Sequence, residues 1–151
     1  MPLDNSVQRI LVTSAVASAA TTLATAALGK LQCGSAAAPL NATSHIVWGE
    51  RATRQDDADI RHTLVGTLLN AAAMVSWASV QHLFFPRPRG LWGSAATGAA
   101  VAALAYVTDY YVVPKRFTPG FEARLSRGAL ATVYVALAAA LAATAEAKAR
   151  R

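Results

Sequence analysis

The chain has 151 residues, room for one domain, and is 54% hydrophobic but only 15% charged, against ~25% in an average soluble domain. Its net charge of +6 would suit nucleic acid, but the basic residues flank apolar segments, as they do where they meet anionic headgroups. A single cysteine, Cys33, excludes an internal disulfide and a multi-cysteine zinc site.

The charges are clustered, leaving charge-free windows at 10–29, 31–49, 62–86, 90–108 and 128–145. A soluble Ala-rich bundle would show one charged face at period 3.6 on each helix, and these windows show none. The prediction is an all-α integral membrane protein, a four-transmembrane-helix bundle forming a single membrane domain over 1–151. Its spans are expected at about 10–29, 62–85, 91–113 and 128–145, with an interfacial or re-entrant segment and a charged connector at about 31–61.

The first span, Ile10 to Gly29, lies between Arg9 and Lys30. Its uncharged run exceeds the ~7–15 residues of a signal-peptide core, which predicts a retained anchor. Bulky Gln32 before Cys33 argues against a lipoprotein site. Small residues at Ser14, Ser18, Thr22 and Ala26 recur every fourth position, a spacing that lets another helix backbone come close.

Residues 31–49 are uncharged but contain Pro39, two glycines and the polar run Asn41, Thr43, Ser44 and His45. A lipid-facing helix through them would be costly, so an interfacial or re-entrant segment is expected, anchored by Ile46, Val47 and Trp48. Asn41-Ala42-Thr43 is formally a glycosylation sequon. In the connector at 50–61, Asp56, Asp57 and Asp59 are placed to cap the second span, where free N–H groups and the positive dipole end favour carboxylates.

The second span, His62 to Phe85, is long enough to cross a ~30 Å hydrocarbon core at ~1.5 Å per residue. Gly66, Asn70, Ala73, Trp77 and Gln81 form one polar stripe that should face other helices. Pro86 to Gly90 predicts a tight hairpin to an antiparallel neighbour. In the third span Gly90, Ser94, Gly98, Ala102 and Ala105 share a face that Asp109 continues, and Tyr106, Tyr110 and Tyr111 mark an interface. The fourth span places Gly128, Thr132, Ala136, Ala140 and Thr144 in register.

Orientation is nearly balanced. The side with both termini and the 86–90 turn has six Lys or Arg, and the opposite side has eight spread over longer loops. The termini are placed in the cytoplasm, in what is expected to be a bacterial cytoplasmic (inner) membrane.

Asp109 is the leading candidate for chemistry, because an acid inside an apolar run costs about 2.5–3.5 kcal/mol on insertion scales and needs a partner. Hairpin arithmetic nominates Arg127 or Arg124 for a structural ion pair. The functional reading is a titratable or cation-binding acid. His62 and His82 lie ~30 Å apart on one helix and cannot share an ion. His45 and His62, with Asp57 or a neighbouring acid, are the candidate set for a divalent metal; no other cofactor is predicted. No nucleophile elbow or phosphate loop occurs, so an enzyme is the less expected class.

The expected function is therefore that of a non-catalytic accessory or scaffold subunit packing through small-residue helix faces. Its partners would be the lipid bilayer and its own copies or a larger membrane complex, not nucleic acid. The alternative is a small proton or cation carrier or channel using Asp109 and the Asn70/Gln81 stripe, whereas burial of Asp109 against Arg127 belongs to the structural reading.

Overall fold

The computed structural model describes residues 5–85 and 90–149, so the predicted turn at 86–89 lies outside the described residues. Six α-helices follow one another: α1 (Asn5–Cys33), α2 (Ala38–Thr43), α3 (His45–Trp48), α4 (Val65–Phe84), α5 (Gly90–Val107) and α6 (Arg127–Ala149). A π-helical turn, Ile60–Leu64, leads into α4, and another, Thr108–Val112, ends α5. No strand occurs among the described residues.

Four helices are long and apolar enough to cross a membrane: Asn5–Cys33, Ile60–Phe84, Gly90–Val112 and Arg127–Ala145. Their alanines favour the helix, and several of their hydroxyls are closed on it. Thr21 donates to the Ala17 carbonyl at 2.9 Å, Thr67 to Thr63 at 2.7 Å, and Thr132 to Gly128 at 3.0 Å. Asp59 starts the second span as its N-cap, accepting from the His62 backbone N–H at 2.6 Å. Of the three aspartates expected to cap that span, Asp56 instead pairs with Arg124, and the Asp57 side chain stays exposed.

In space α1 packs along both α4 and α6, and α5 lies along α6, so the order is α4, α1, α6, α5. The consecutive helices α4 and α5 touch only lightly. Helices that follow one another in sequence need not pack side by side. The central core draws Ala17, Met74, Val101, Ala105, Leu137 and Leu141 from all four long helices. At Gly98, an added Cβ would overlap the Ala138 carbonyl, so the α5 and α6 backbones are in direct contact there.

The inward faces differ from those expected. On α1 the buried line is Ser14, Ala17, Thr21, Thr25 and Gly29, rotated from Ser18, Thr22 and Ala26. On α4 it is Gly66, Asn70, Met74 and Ala78, while Ala73 is exposed. The α5 stripe is buried from Ser94 to Ala105, but Gly90 is exposed. On α6 the interior is filled by Leu130, Val133, Leu137 and Leu141 with Ala129 and Ala140, and Gly128 and Thr132 face outward. Bulky residues on α6 fill the space that the small residues of α1 and α5 leave open.

The segment predicted as interfacial contains the longest unbroken run of buried residues among those described. Positions 37–45 are all buried, with Ala38, Asn41, Ala42 and Ser44 fully so. Three glycines make the seat for α2. A Cβ at Gly29 would stand 2.6 Å from the Pro39 ring, one at Gly66 would overlap the Leu40 carbonyl, and one at Gly120 would lie 2.6 Å from the Ala42 carbonyl. Immediately after them Ile46 is half-buried, and Val47 and Trp48 are exposed. Residues 34–59 and 113–126 thus form a cap over one end of the bundle, the end opposite Asn5 and Ala149.

Candidate functional site

Asn41 is the node of the cap. Its Nδ2 donates to the carbonyls of Gln55 and Asp57, each at 2.9 Å, and its Oδ1 accepts from the Thr63 hydroxyl at 2.6 Å. The Thr63 hydroxyl in turn accepts from the Asp59 backbone N–H at 3.0 Å. A side chain with no exposed surface and both amide hydrogens engaged cannot carry a glycan in this fold, so the sequon has no such use. Reading Asn41 only as part of a polar run missed this role. Its one available signal was an amide between Pro39 and a dense connector.

The two histidines proposed as metal ligands are engaged separately. His45 is buried, with Nδ1 2.9 Å from the Ala42 carbonyl and Nε2 3.3 Å from the Lys115 carbonyl, and so joins α3 to the 113–120 loop. His62 Nδ1 lies 2.8 Å from Asp59 Oδ2. Asp57 contributes its backbone carbonyl to Asn41, not a carboxylate to either ring. The set His45, His62 and Asp57 is thus not assembled, and no group of three His, Cys, Asp or Glu suited to a metal occurs among the described residues. The backbone N–H of His62, then its ring, hold the Asp59 carboxyl below its ordinary value of 3.8.

Asp109 sits in the π-helical turn after α5 and is half-buried. The expected ion pair with Arg127 is replaced by a hydrogen bond, in which the Tyr134 hydroxyl donates to Asp109 Oδ2 at 2.7 Å. Arg127 is exposed at the first residue of α6, while Tyr134 lies seven residues deeper on the same helix. Hairpin arithmetic assumed an even helical rise, whereas the wider π turn re-aims side chains at the end of α5. Arg124, the other nominated partner, goes to Asp56 and to the Thr53 carbonyl.

Around this acid the tyrosine rings close on one another. Tyr106 stands 5.1 Å from Tyr110 and 5.2 Å from Tyr134, centroid to centroid, with edge-on or tilted geometry. The Tyr110 hydroxyl is buried there and finds no hydrogen-bond partner in the described structure. Tyr134 went unnoticed in the sequence because it stands alone in an Ala-rich span.

The polar stripe of α4 is spent on neighbouring helices. Asn70 Nδ2 donates to the hydroxyls of Thr21 and Thr22 on α1, at 3.0 and 3.2 Å. Gln81 Nε2 donates to the Leu141 carbonyl of α6 at 3.1 Å. Together these bonds can hold α4 against two helices at different depths.

One cavity among the described residues lies at the cap. It is a surface cleft of about 750 Å³ between the ends of α1 and α4, lined by Lys30, Cys33, Leu40, Asp56, Asp57 and Thr63 among others. No protein-family model matches the chain, and no curated protein or solved structure matches it at a significant level.

Proposed function

We propose that the chain is an integral membrane protein with a non-catalytic role, an accessory or scaffold subunit with both termini on the cytoplasmic side. The observation that carries this reading is how the polar side chains of the spans are used. Asn70, Gln81 and Asp109, the groups a carrier would need free, each bond to an adjacent helix. Such bonds contribute on average about 0.6 kcal/mol each within a membrane and suit a rigid bundle better than a pathway.

The outer surface supports the same reading. Leu23, Leu68, Leu91, Trp92, Val107 and Val135 are exposed on the long helices, as expected where lipid or partner helices are the surroundings. The alanines of α5 that face outward, such as Ala95, Ala96, Ala99 and Ala103, leave room for another helix to approach.

The test is purification in mild detergent followed by native mass measurement and reconstitution. A stoichiometric assembly, of this chain alone or with a larger membrane protein, is expected. A monomer that conducts protons or cations in liposomes, with flux lost in Asp109→Asn, would replace the scaffold with the carrier.

A further inference from the structure

The cleft at the cap has a composition that selects its ligand. Lys30 spends one of its three donors on the Gly34 carbonyl at 3.0 Å and keeps two. Asp56 is occupied by Arg124, whereas the exposed Asp57 carboxylate makes no hydrogen bond or ion pair among the described residues. The cleft therefore offers one ammonium and one free carboxylate above a floor that includes Ala26 and Leu40. Its volume of about 750 Å³ falls in the ~300–1,000 Å³ range of small-molecule sites.

Its position adds an apolar approach. Ala26 and Lys30 lie one turn apart on α1, and Leu23, a further turn down the same face, is 71% exposed. On the α4 side Thr63 lines the cleft, and Ile60 and Leu64 beside it are exposed. Charged groups at the rim and aliphatic groups below match a molecule with a polar head and hydrocarbon chains.

We propose that this cleft binds the headgroup of a phospholipid carrying a primary amine, with the phosphate toward Lys30 and the ammonium toward Asp57. The proposal rests on the membrane reading above. A primary ammonium donates hydrogen bonds to a carboxylate, whereas a trimethylammonium needs aromatic faces, and among the described residues no aromatic ring lines the cleft. A purely anionic headgroup would meet Lys30 but leave Asp57 facing negative charge.

The experiment uses the full chain, delipidated in detergent, titrated with phosphatidylethanolamine, phosphatidylcholine and phosphatidylglycerol of matched chains and followed by native mass spectrometry. Wild type should retain phosphatidylethanolamine at least tenfold more tightly than phosphatidylcholine. Asp57→Asn should cut that preference to within about twofold, and Lys30→Gln should weaken phosphatidylethanolamine and phosphatidylglycerol alike. Both residues are exposed, so both variants should fold. Equal retention of the three lipids by wild type overturns the site while leaving the membrane reading intact. Binding of glycerophosphoethanolamine as tightly as the whole lipid overturns the lipid as ligand. A chain that stays in solution without detergent overturns the membrane reading itself, and the site with it.

Discussion

Replacing Asn41 with alanine removes three hydrogen bonds from a side chain that has no exposed surface. At a net worth of about 1 kcal/mol each, the loss is about 3 kcal/mol. The larger cost of orphaned partners is avoided, because Asp57 is exposed and Gln55 and Thr63 are half-buried, so water reaches what Asn41 leaves behind. These bonds tie the connector to α2 and the start of α4; they do not join long helices. The loss therefore falls on local opening of the connector and not on the bundle. With ~1.4 kcal/mol per factor of ten, the open fraction should rise about a hundredfold. Limited trypsin cleavage after Arg51 and Arg54, both exposed, follows that fraction when reclosing outruns cutting. Asn41→Asp should be worse than Asn41→Ala, since it turns a carboxylate oxygen toward two carbonyls. Cleavage of Asn41→Ala at the wild-type rate would refute the argument that the amide holds the cap.

Gly66→Ala should displace α2 and cost about 1–3 kcal/mol or more in thermal stability, because the new Cβ overlaps the Leu40 carbonyl. Gly128→Ala, with nothing within 4 Å, should be neutral or stabilising by up to about 1 kcal/mol, so equal effects at the two sites would show that the seat is not tight. A double-mutant cycle on Tyr134→Phe and Asp109→Asn should give a coupling of about 0.6–1.7 kcal/mol, while exposed Arg127→Gln stays within about 0.5 kcal/mol of wild type. Coupling between Asp109 and Arg127 in place of Tyr134 would restore the ion pair. For Asp59 the folded carboxyl titrates below 3.8, so its stabilisation is fully present above that value and is lost as pH falls through the lower folded value. Connector opening should therefore gain from Asp59 no dependence between pH 5 and 7 but should rise below about pH 4. Asp59→Asn should abolish that acid-side rise, and a rise persisting in the variant would assign it to another group.

The existence and approximate position of the four long apolar helices were legible from residue order alone. Crossing a hydrocarbon layer demands a helical run free of charge, and a missing charge is a property of each segment by itself. Asp59 as a helix start was legible for a similar reason, since a cap is local chemistry. The inward faces were not. In helices rich in Ala, Gly, Ser and Thr, several faces are equally small, and α1 turned Thr21 and Thr25 inward beside the predicted Thr22. On α6 the leucines went inside because the small faces of α1 and α5 left volume for them, a fact stored on other helices. The partner of Asp109 was hidden for the same reason: Tyr134 is 25 residues away, and the π turn that aims the acid at it leaves no charge or proline marker. Burial of α2 required three glycines from three separate elements and the three polar groups around Asn41 to meet in space. Apolar length is written along one segment, whereas steric fit and closure of hydrogen bonds are relations between segments, which only the tertiary structure brings together.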